Sequence, residues 1–281
     1  MIQLQNIHFA YRKNRVIFDE LNLSLTNGHI YGLFGKNGAG KTTLLKIMAG
    51  LSFAQEGTVT TLGENAALRK ASMLKDIYFL TEEMYVPALS IKKFVQCYAP
   101  FYENFNHEQF DEYLHLFDIS DQNQKLETLS LGQKKKVLIS FSLATNTKIL
   151  FMDEPTNGLD IPSKASFRKI MSMAASEDRM ILISTHQVRD LHSLIDAVVI
   201  LDNGNILLNA TTEEITDKLC FKVIDENGTD EPILYCEENL VGSTVVTENI
   251  HHIETKLDIE LLFNATMMNK DKINELFNHK F

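Results

Sequence analysis

The chain has 281 residues and is 44% hydrophobic, which suits one main globular domain with room for an accessory unit. Its formal net charge of −10 argues against general nucleic-acid binding, because neutralising phosphates requires clustered lysine and arginine side chains. No apolar run approaches the ~20 residues that cross a bilayer, so we expect any membrane role to come through a partner.

The first part of the chain predicts strands. Residues 2–9 alternate apolar and polar side chains, as a half-buried strand does, and residues 16–25 form a second strand-like run. Asn27-Gly28 is typical of a tight turn, after which residues 29–34 are short, mostly apolar and of strand type. This third strand leads directly into a glycine-rich loop.

That loop, residues 35–43, fits the phosphate-binding pattern G-x-x-x-x-G-K-[ST] and precedes a run of helical spacing. Glycines let the backbone wrap around a polyphosphate, and the helix N-terminus adds the positive end of its dipole. We expect Lys41 to reach the β- and γ-phosphates and the Thr42 hydroxyl to bind Mg²⁺. The nucleotide-binding residues predicted here are Gly35, Asn37, Gly38, Gly40, Lys41, Thr42 and Thr43.

The middle of the chain changes character. Residues 57–63 predict an exposed strand and residues 76–80 a buried one. Residues 88–127 are typical of helices, with Ser90 and Asn106 as predicted N-caps. This helical insert separates the first half of the core from the second.

A further helix is predicted to begin within residues 129–133, Leu-Ser-Leu-Gly-Gln. Ser130 and Gln133 have the spacing of a capping box, so an N-cap alone would explain both residues. The run Lys134–Lys136 is the one compact basic segment of the chain, and a solvated helix face is its simplest explanation.

Two carboxylates end an apolar strand at residues 148–154, of the kind that parallel sheets bury on both faces. Mg²⁺ bound to ATP needs a hard oxygen ligand besides Thr42, and Asp153 is placed to supply it. Glu154 points elsewhere by strand alternation and could polarise an attacking water. An acidic turn without function is the alternative.

The apolar run of residues 180–186 predicts a further buried strand, which ends in His186. A lone histidine more often has a structural role. The carboxyl end of a strand in an α/β sheet is where ligands bind, however, so a structural role and a contact with the γ-phosphate are both open for His186. Residues 197–201 and 206–208 then predict a hairpin around Asn203-Gly204.

Beyond this hairpin the sequence contains no motif that indicates a chemical function. Thr211 and Glu214 form a capping box for a short helix over residues 212–219. The remaining segments are a small α+β appendage, with two short strands and two helices predicted at residues 233–235, 241–247, 258–265 and 270–277.

The order of these elements resembles the ATP-binding-cassette (ABC) ATPase family. Residues 129–133 are similar to the family signature L-S-G-G-Q, with Leu131 in place of the first glycine. Residues 157–160 resemble the D-loop, which ends at Asp160, and His186 matches the switch histidine. The combination of motifs is highly specific and covers residues 1 to about 216.

Two further positions take their meaning from this resemblance. Tyr11 follows the first strand and alone would be a plain surface aromatic, but it matches the residue that stacks on adenine. Glu82 stands where the family usually has the Q-loop glutamine, a substitution that resembles a subset of exporter ATPases.

The family resemblance implies an α/β fold. We expect a P-loop NTPase core with a mainly parallel sheet flanked by helices, an antiparallel β subdomain and a helical subdomain at about residues 88–145. The ABC ATPase domain would span residues 1–216, and residues 217–281 would form a small C-terminal accessory domain.

The resemblance also implies ATP hydrolysis in a head-to-tail dimer, with two ATP molecules between the subunits. The catalytic residues would be Glu154, His186 and Glu82, and the Mg²⁺ ligands Thr42, Asp153 and Glu82. Besides the phosphate loop, the nucleotide would contact Tyr11 of one subunit, and Ser130, Gly132, Gln133 and Asp160 belong to the same set of predicted binding residues. The resemblance assigns Ser130 and Gly132 to the opposite subunit, at the γ-phosphate.

The leading functional hypothesis is the ATPase subunit of a membrane transporter, exporting drugs, antibiotics or peptides. Its partners would be a second ATPase subunit, identical or not, and an integral membrane permease that holds it on the cytoplasmic face of the cell membrane. Two alternatives stay open: a soluble ABC ATPase of the iron–sulfur assembly, repair or translation type, or a regulatory or immunity module.

Overall fold

The structure is a computed structural model of the chain and describes residues 1–12, 15–186, 191–224, 231–239 and 242–277. The strands of the described part are β1 (Ile2–Arg12), β2 (Arg15–Leu25), β3 (Ile30–Phe34), β4 (Glu56–Thr61), β5 (Glu64–Asn65), β6 (Ile77–Leu80), β7 (Ile149–Asp153), β8 (Met180–Thr185), β9 (Ala197–Asp202), β10 (Asn205–Thr211), β11 (Leu219–Ile224), β12 (Ile233–Asn239) and β13 (Gly242–Glu248). The helices are α1 (Lys41–Met48), α2 (Ala71–Leu74), α3 (Ile91–Tyr98), α4 (His107–Leu116), α5 (Leu131–Ala144), α6 (Ile161–Ala174), α7 (Thr212–Lys218), α8 (Ile259–Met268) and α9 (Lys270–Phe277).

The central sheet has the strand order β10-β9-β3-β8-β7-β6 and is parallel except at the β9–β10 hairpin. Strands β7 and β8 are buried along their whole lengths, as their continuous apolar runs predicted. In register, Phe34 pairs with Thr185, and Asp153 pairs with Ser184. The carboxyl ends of β3, β7 and β8 therefore meet at one edge of the sheet, and this edge carries the candidate site.

A second, antiparallel sheet has the order β2-β1-β4-β5 and covers α1. Its inward side chains share one hydrophobic cluster with α1 and with one face of the central sheet, including Leu4, Phe18, Leu44 and Phe151. The predicted antiparallel β subdomain is thus present and lies beside the phosphate loop.

Helices α3 and α4 lie in the predicted helical insert, and α5 follows it and completes the predicted helical subdomain. Ser90 caps α3 and Asn106 caps α4 through their side chains, as expected from the sequence. This helical subdomain has an aromatic core around Phe141, whose ring centroid lies 4.9 Å from that of Phe94 and 5.0 Å from that of Phe105. Such rings bury large apolar areas and hold α5 in a fixed position.

The C-terminal segment contains a three-stranded antiparallel sheet of order β11-β13-β12, followed by α8 and α9. The strands at 233–235 and 241–247 and both helices were predicted, whereas β11 was not. Its apolar side chains, among them Phe221, Val246 and Leu262, belong to the same hydrophobic cluster as the helical insert and one face of the central sheet. The segment is therefore packed against the cassette, not tethered to it. Among the described residues, no helix combines the length and apolar character needed to cross a bilayer.

Candidate nucleotide site

The loop between β3 and α1 has the glycine-dependent geometry expected of a phosphate-binding loop. Gly40 has φ +106°, and a Cβ there would lie 2.9 Å from the Phe18 ring and 3.0 Å from Ile17. A Cβ on Gly35 would lie 2.4 Å from the Leu201 carbonyl oxygen. Among the described residues, no side chain caps the N-terminus of α1, and its first turn contains no acidic residue. Its N–H groups and dipole are therefore available to an anion.

Lys41 is held inside this loop. Its ammonium donates to the carbonyl oxygens of Gly35 (2.7 Å) and Lys36 (3.3 Å). Burial lowers the pKa of Lys41, because the charged form loses its hydration. Three carboxylates oppose that shift, namely those of Glu154, Asp153 and Glu82. The site therefore places the Lys41 ammonium among several acidic groups, an arrangement that suits a polyphosphate accompanied by a metal cation.

The two residues predicted to bind Mg²⁺ are hydrogen-bonded to each other. The Thr42 hydroxyl donates to Oδ2 of Asp153 at 2.7 Å. The Ser184 hydroxyl donates to the other oxygen, Oδ1 of Asp153, and so fixes the orientation of the carboxylate. A hydroxyl and a carboxylate are the hard oxygen donors that Mg²⁺ prefers, so the donor set fits this ion.

Glu154 and His186 also come together. Oε1 of Glu154 accepts the backbone N–H of His186 at 3.1 Å and lies 2.8 Å from the ring Nδ1 of His186. Oε2 of Glu154 is buried and has no hydrogen-bond partner among the described residues. Glu154 has φ +47°, in the left-handed region that costs a non-glycine residue about 1 kcal/mol or more. The turn thus presents one restrained and one open carboxylate oxygen.

The cleft beside the loop has an aromatic wall. Tyr11 is 56% exposed, and its hydroxyl lies 2.9 Å from Oγ1 of Thr43. Its ring packs edge-on against Phe9, with a centroid distance of 5.0 Å. One ring face can therefore receive a base while the hydroxyl anchors the ring to α1.

Most of the predicted residues line this cleft. The described residues of its lining are Tyr11, Arg15, Ile17, Asn37, Gly38, Gly40, Lys41, Thr42, Thr43, Glu82, Asp153 and Glu154. Sequence reasoning missed Arg15 and Ile17, because only the pairing of Arg12 with Arg15 across the β1–β2 hairpin brings that part of β2 beside Tyr11. Oε1 of Glu82 accepts from the side-chain amide of Asn157 at 3.0 Å, so its carboxylate is oriented at the cleft.

The signature residues lie elsewhere, at the N-terminus of α5. The predicted capping box is present: the Gln133 N–H donates to the Ser130 hydroxyl, and the Ser130 N–H donates to Oε1 of Gln133. A Cβ on Gly132 would lie 3.3 Å from the Gly158 carbonyl oxygen, so the start of α5 lies against the following turn. None of these residues lines the cleft.

Asp160 has a structural contact that its predicted binding role did not include. Its carboxylate accepts the Ser163 N–H at 2.9 Å and caps α6. Hydrogen bonds from Ser163 hold the pKa of Asp160 below its usual value, because they favour the charged form. Asp160 does not line the cleft of the same chain.

The prediction that Lys134–Lys136 is a solvated face is wrong for Lys135. This side chain is only 3% exposed, and its ammonium donates to the carbonyl oxygens of Glu154 (2.7 Å) and Asn157 (2.9 Å). Burial lowers the pKa of Lys135. A run of three lysines carries no signal that one of them turns inward, because the run spans more than one face of a helix.

The sequence and the fold are similar to those of known proteins. Residues 18–157 match the family described as "ABC transporter". A methionine import ATP-binding protein of Oceanobacillus iheyensis is 33% identical over 231 residues, which cover 76% of this chain and 68% of that protein. The bacitracin transport ATP-binding protein BcrA of Bacillus licheniformis is 29% identical over 269 residues, 92% of this chain and 83% of the relative.

A third relative, the linearmycin resistance ATP-binding protein LnrL of Bacillus subtilis, is 26% identical over 92% of this chain and 85% of its own length. A solved structure described as the ATP binding subunit of an ABC transporter superposes with a TM-score of 0.68 at 21% identity, over 76% of this chain and 91% of that one. This structural similarity concerns the fold, which agrees with the predicted P-loop NTPase core.

Proposed function

The chain belongs to the ABC transporter family, as an ATP-binding subunit and an ATPase, and we propose that it hydrolyses Mg²⁺-bound ATP in the cleft beside the phosphate loop, with Glu154 as the general base. The observation that carries this proposal is the Glu154 carboxylate, which has one oxygen fixed by His186 and the other buried without a partner among the residues that the structure describes. Buried polar atoms are nearly always paired, so the open oxygen marks a position for a ligand such as the attacking water.

ATP binding would divide among the elements that meet at the cleft. The loop N–H groups and Lys41 would hold the phosphates, and the exposed ring of Tyr11 would stack on adenine. Thr42 and Asp153 would hold Mg²⁺, which supplies charge stabilisation at the transferring phosphoryl group. Glu82 would orient groups at the same end of the cleft through its contact with Asn157.

His186 and Glu154 would act as a pair. The two contacts from His186 fix the carboxylate, so that Oε2 can accept a proton from a water without searching for the right geometry. His186 would also stand near the γ-phosphate, which is the role that its place at the end of β8 first suggested.

The separation of the signature from the cleft supports a dimer. Ser130, Gly132 and Gln133 lie at the start of α5 and do not line the cleft of their own chain. A second copy or a related subunit, packed head to tail, would bring that helix N-terminus to the γ-phosphate. Leu131 is 66% exposed at this position, which suits an interface that forms only with the partner. Asp160 would lie near the same interface.

The test of this catalytic assignment is Glu154→Gln in the full chain. Glutamine keeps the size of the side chain but cannot act as a carboxylate base, so hydrolysis should fall about 100- to 10,000-fold while ATP still binds. The variant should accumulate as an ATP-bound dimer in size-exclusion chromatography with light scattering, and Ser130→Arg should abolish that dimer. Glu83→Gln, an exposed carboxylate near the cleft, is the matched control and should hydrolyse ATP normally.

A Glu154→Gln protein that hydrolyses ATP at the wild-type rate would remove Glu154 from catalysis. A dimer that persists in Glu154→Gln/Ser130→Arg would remove the signature from the interface.

The transporter role would require a membrane permease, and export is the direction that we propose. The bacitracin and linearmycin relatives align over 92% of this chain, which includes part of the C-terminal segment, whereas the methionine import relative aligns over 76%. Two aromatic side chains that follow Glu82 in the chain are strongly exposed: Tyr85 is 97% exposed and Phe101, just after α3, is 70% exposed. They would offer apolar contacts to a helix of the permease. The subunit would then sit on the cytoplasmic face of the membrane.

Co-expression with the membrane protein encoded beside it tests this part. The permease should co-purify with the wild-type chain and less well with Tyr85→Ala/Phe101→Ala. Together the two proteins should raise the inhibitory concentration of at least one peptide antibiotic, and Glu154→Gln should cancel that protection. Failure to co-purify any multi-helix membrane protein would favour a soluble ABC ATPase, and loss of uptake instead of protection would reverse the direction.

A further inference from the structure

A buried lysine outside the predicted site connects α5, whose N-cap is the signature residue Ser130, to the turn that begins at Glu154. Lys135 lies on α5, five residues after Ser130, and its ammonium donates to two carbonyl oxygens of one turn: Glu154 at 2.7 Å and Asn157 at 2.9 Å. We propose that Lys135 is a positioning residue, which fixes the backbone of Glu154 and thereby the aim of its carboxylate. This inference rests on the proposed role of Glu154 as the base.

The turn needs such a constraint. Glu154 has a positive φ, and within the turn the Asn157 N–H donates to the Glu154 carbonyl at a long 3.3 Å. Charge-assisted hydrogen bonds are shorter and stronger than neutral ones, so the two bonds from Lys135 add restraint at both ends of the turn. The Glu154 N–H is held separately by the Ser184 carbonyl at 3.0 Å, so Lys135 restrains the carbonyl side of the residue. Without Lys135, the peptide after Glu154 could rotate toward a less strained conformation and carry Oε2 away from its position.

The burial of Lys135 argues for a specific role. Placing an ammonium in the interior costs several kcal/mol unless its hydrogen bonds and charge are matched. Three carboxylates stabilise the charged form of Lys135; the largest contribution comes from Glu82, followed by Glu154 and Asp153. The Lys135 ammonium therefore binds the backbone of the turn that begins at Glu154, and it interacts electrostatically with carboxylates that line the cleft.

The same turn receives a third contact. The side-chain amide of Asn157 donates to Oε1 of Glu82 at 3.0 Å. The turn of Glu154 thus connects α5, whose N-cap is Ser130, with the segment after β6, which carries Glu82. Because α5 is a continuous helix of 14 residues, a displacement at Ser130 would be transmitted to Lys135 and so to the Glu154 backbone. Engagement of the signature by a partner would in this way influence the geometry of the chain's own catalytic carboxylate.

The variant that tests this inference is Lys135→Met, which keeps the aliphatic stem and removes the ammonium. Single-turnover hydrolysis of ATP by the full chain should fall about 10- to 100-fold, as a misplacement of roughly 1 Å in a catalytic group can produce. ATP affinity, measured by calorimetry, should stay within about twofold of wild type, because no phosphate or base contact is removed. Lys135→Arg, which can donate to both carbonyls, should recover part of the rate.

Lys136→Met is the matched control on the same helix. The Lys136 ammonium donates to the Phe117 carbonyl at 3.4 Å and lies 6.0 Å from the centroid of the Phe117 ring, and its charge also acts on Asp160. None of these groups belongs to the segment from Glu154 to Asn157 that Lys135 contacts. Hydrolysis by Lys136→Met should therefore match the wild type, even if its unfolding midpoint falls as much as that of Lys135→Met. That pattern separates a positioning role from a loss of stability.

A double-mutant cycle with Glu154→Gln gives the decisive result. If Lys135 acts through the carboxylate, adding Lys135→Met to Glu154→Gln should change the residual rate by less than about twofold. Additive losses, a wild-type rate in Lys135→Met, or a rate in Lys135→Arg no better than in Lys135→Met would each overturn the inference. A wild-type rate in Glu154→Gln alone would instead contradict the proposed function, so the two failures are distinguishable.

Discussion

Two buried polar residues, one in the C-terminal segment and one in the nucleotide cleft, are satisfied in different ways. Asn249 uses its amide nitrogen and oxygen within the fold, bonding the Thr216 and Ile253 carbonyls and the Ile253 N–H. Glu154, equally buried, has one oxygen fixed by His186 and one that has no hydrogen-bond partner in the described part of the chain. The first pattern is that of a structural tie, and the second leaves bonding capacity for something outside the chain.

The same contrast holds for the larger regions. The C-terminal segment is joined to the cassette by apolar packing and by an ion pair between Lys270 and Asp202, with a nitrogen–oxygen distance of 2.6 Å. The cleft instead combines left-handed backbone at Gly40 and Glu154 with an uncapped helix N-terminus. We therefore expect changes in the first region to affect folding and changes in the second to affect ligand binding or hydrolysis.

The largest effect should come from the C-terminal core. Leu262 is fully buried on α8, and Leu262→Ala should lower the free energy of unfolding by about 2–5 kcal/mol through lost burial and a cavity. Chemical denaturation measures this change. ATP affinity of the folded protein should be unaffected, and a parallel loss of affinity would show that the segment takes part in the site.

Lys41→Ala should have the opposite profile. Loss of a charged hydrogen-bond donor should weaken ATP binding by about 1.5–3 kcal/mol, or roughly 10- to 150-fold, with little change in the unfolding midpoint. Isothermal calorimetry with Mg-ATP measures it, and Lys36→Ala, an exposed lysine in the same loop, is the control. Unchanged affinity in Lys41→Ala would refute the assignment of the phosphate loop.

Removal of the aromatic wall should have a somewhat smaller effect. Tyr11→Ala should reduce ATP affinity by about 1–3 kcal/mol, the range measured for base–aromatic stacking. Tyr11→Phe keeps the ring and loses only the contact with Thr43, so it should bind nearly as well as the wild type. Equal binding by the alanine and phenylalanine variants would exclude stacking.

The smallest effect should come from the ion pair between the two regions. Lys270 is partly exposed, so Lys270→Met should destabilise the protein by about 1 kcal/mol, less at high salt. Asp202 adjoins Leu201, whose carbonyl lies against Gly35 of the phosphate loop. A change in ATP affinity larger than the change in stability would show that the C-terminal segment is coupled to the nucleotide site. It would contradict the expectation that changes in this segment affect folding alone.

The sequence was sufficient where a function depends on neighbouring residues. The phosphate loop is contiguous, and the caps at Ser90, Asn106 and Ser130 follow from side chains within one helical turn. The apolar run of β7 predicted a parallel strand and that of β8 a further buried strand, and their parallel pairing places Asp153 and His186 at one sheet edge. Local patterns of this kind are encoded in adjacent positions.

What the sequence did not reveal depends on contacts between distant segments. Ser184 lies inside β8 and becomes a partner of Asp153 only through strand register. Arg15 reaches the cleft through a hairpin, and Lys135 turns inward because α5 packs over the turn after β7. Serine, arginine and lysine side chains are common outside functional sites, and the residues adjacent to these three form no motif. The sequence therefore did not indicate a role for them.

The central claim is that the cleft binds Mg-ATP with the terminal phosphate beside Glu154. A crystal or electron cryomicroscopy structure of the full-length Glu154→Gln protein with ATP and Mg²⁺ tests it directly. The account predicts phosphates on the loop before α1, adenine on the Tyr11 ring, and Mg²⁺ about 2.1 Å from the Thr42 hydroxyl with Asp153 beside it. Nucleotide bound outside this cleft, or a metal ion held by other side chains while residue 154 faces away from the γ-phosphate, would contradict the account.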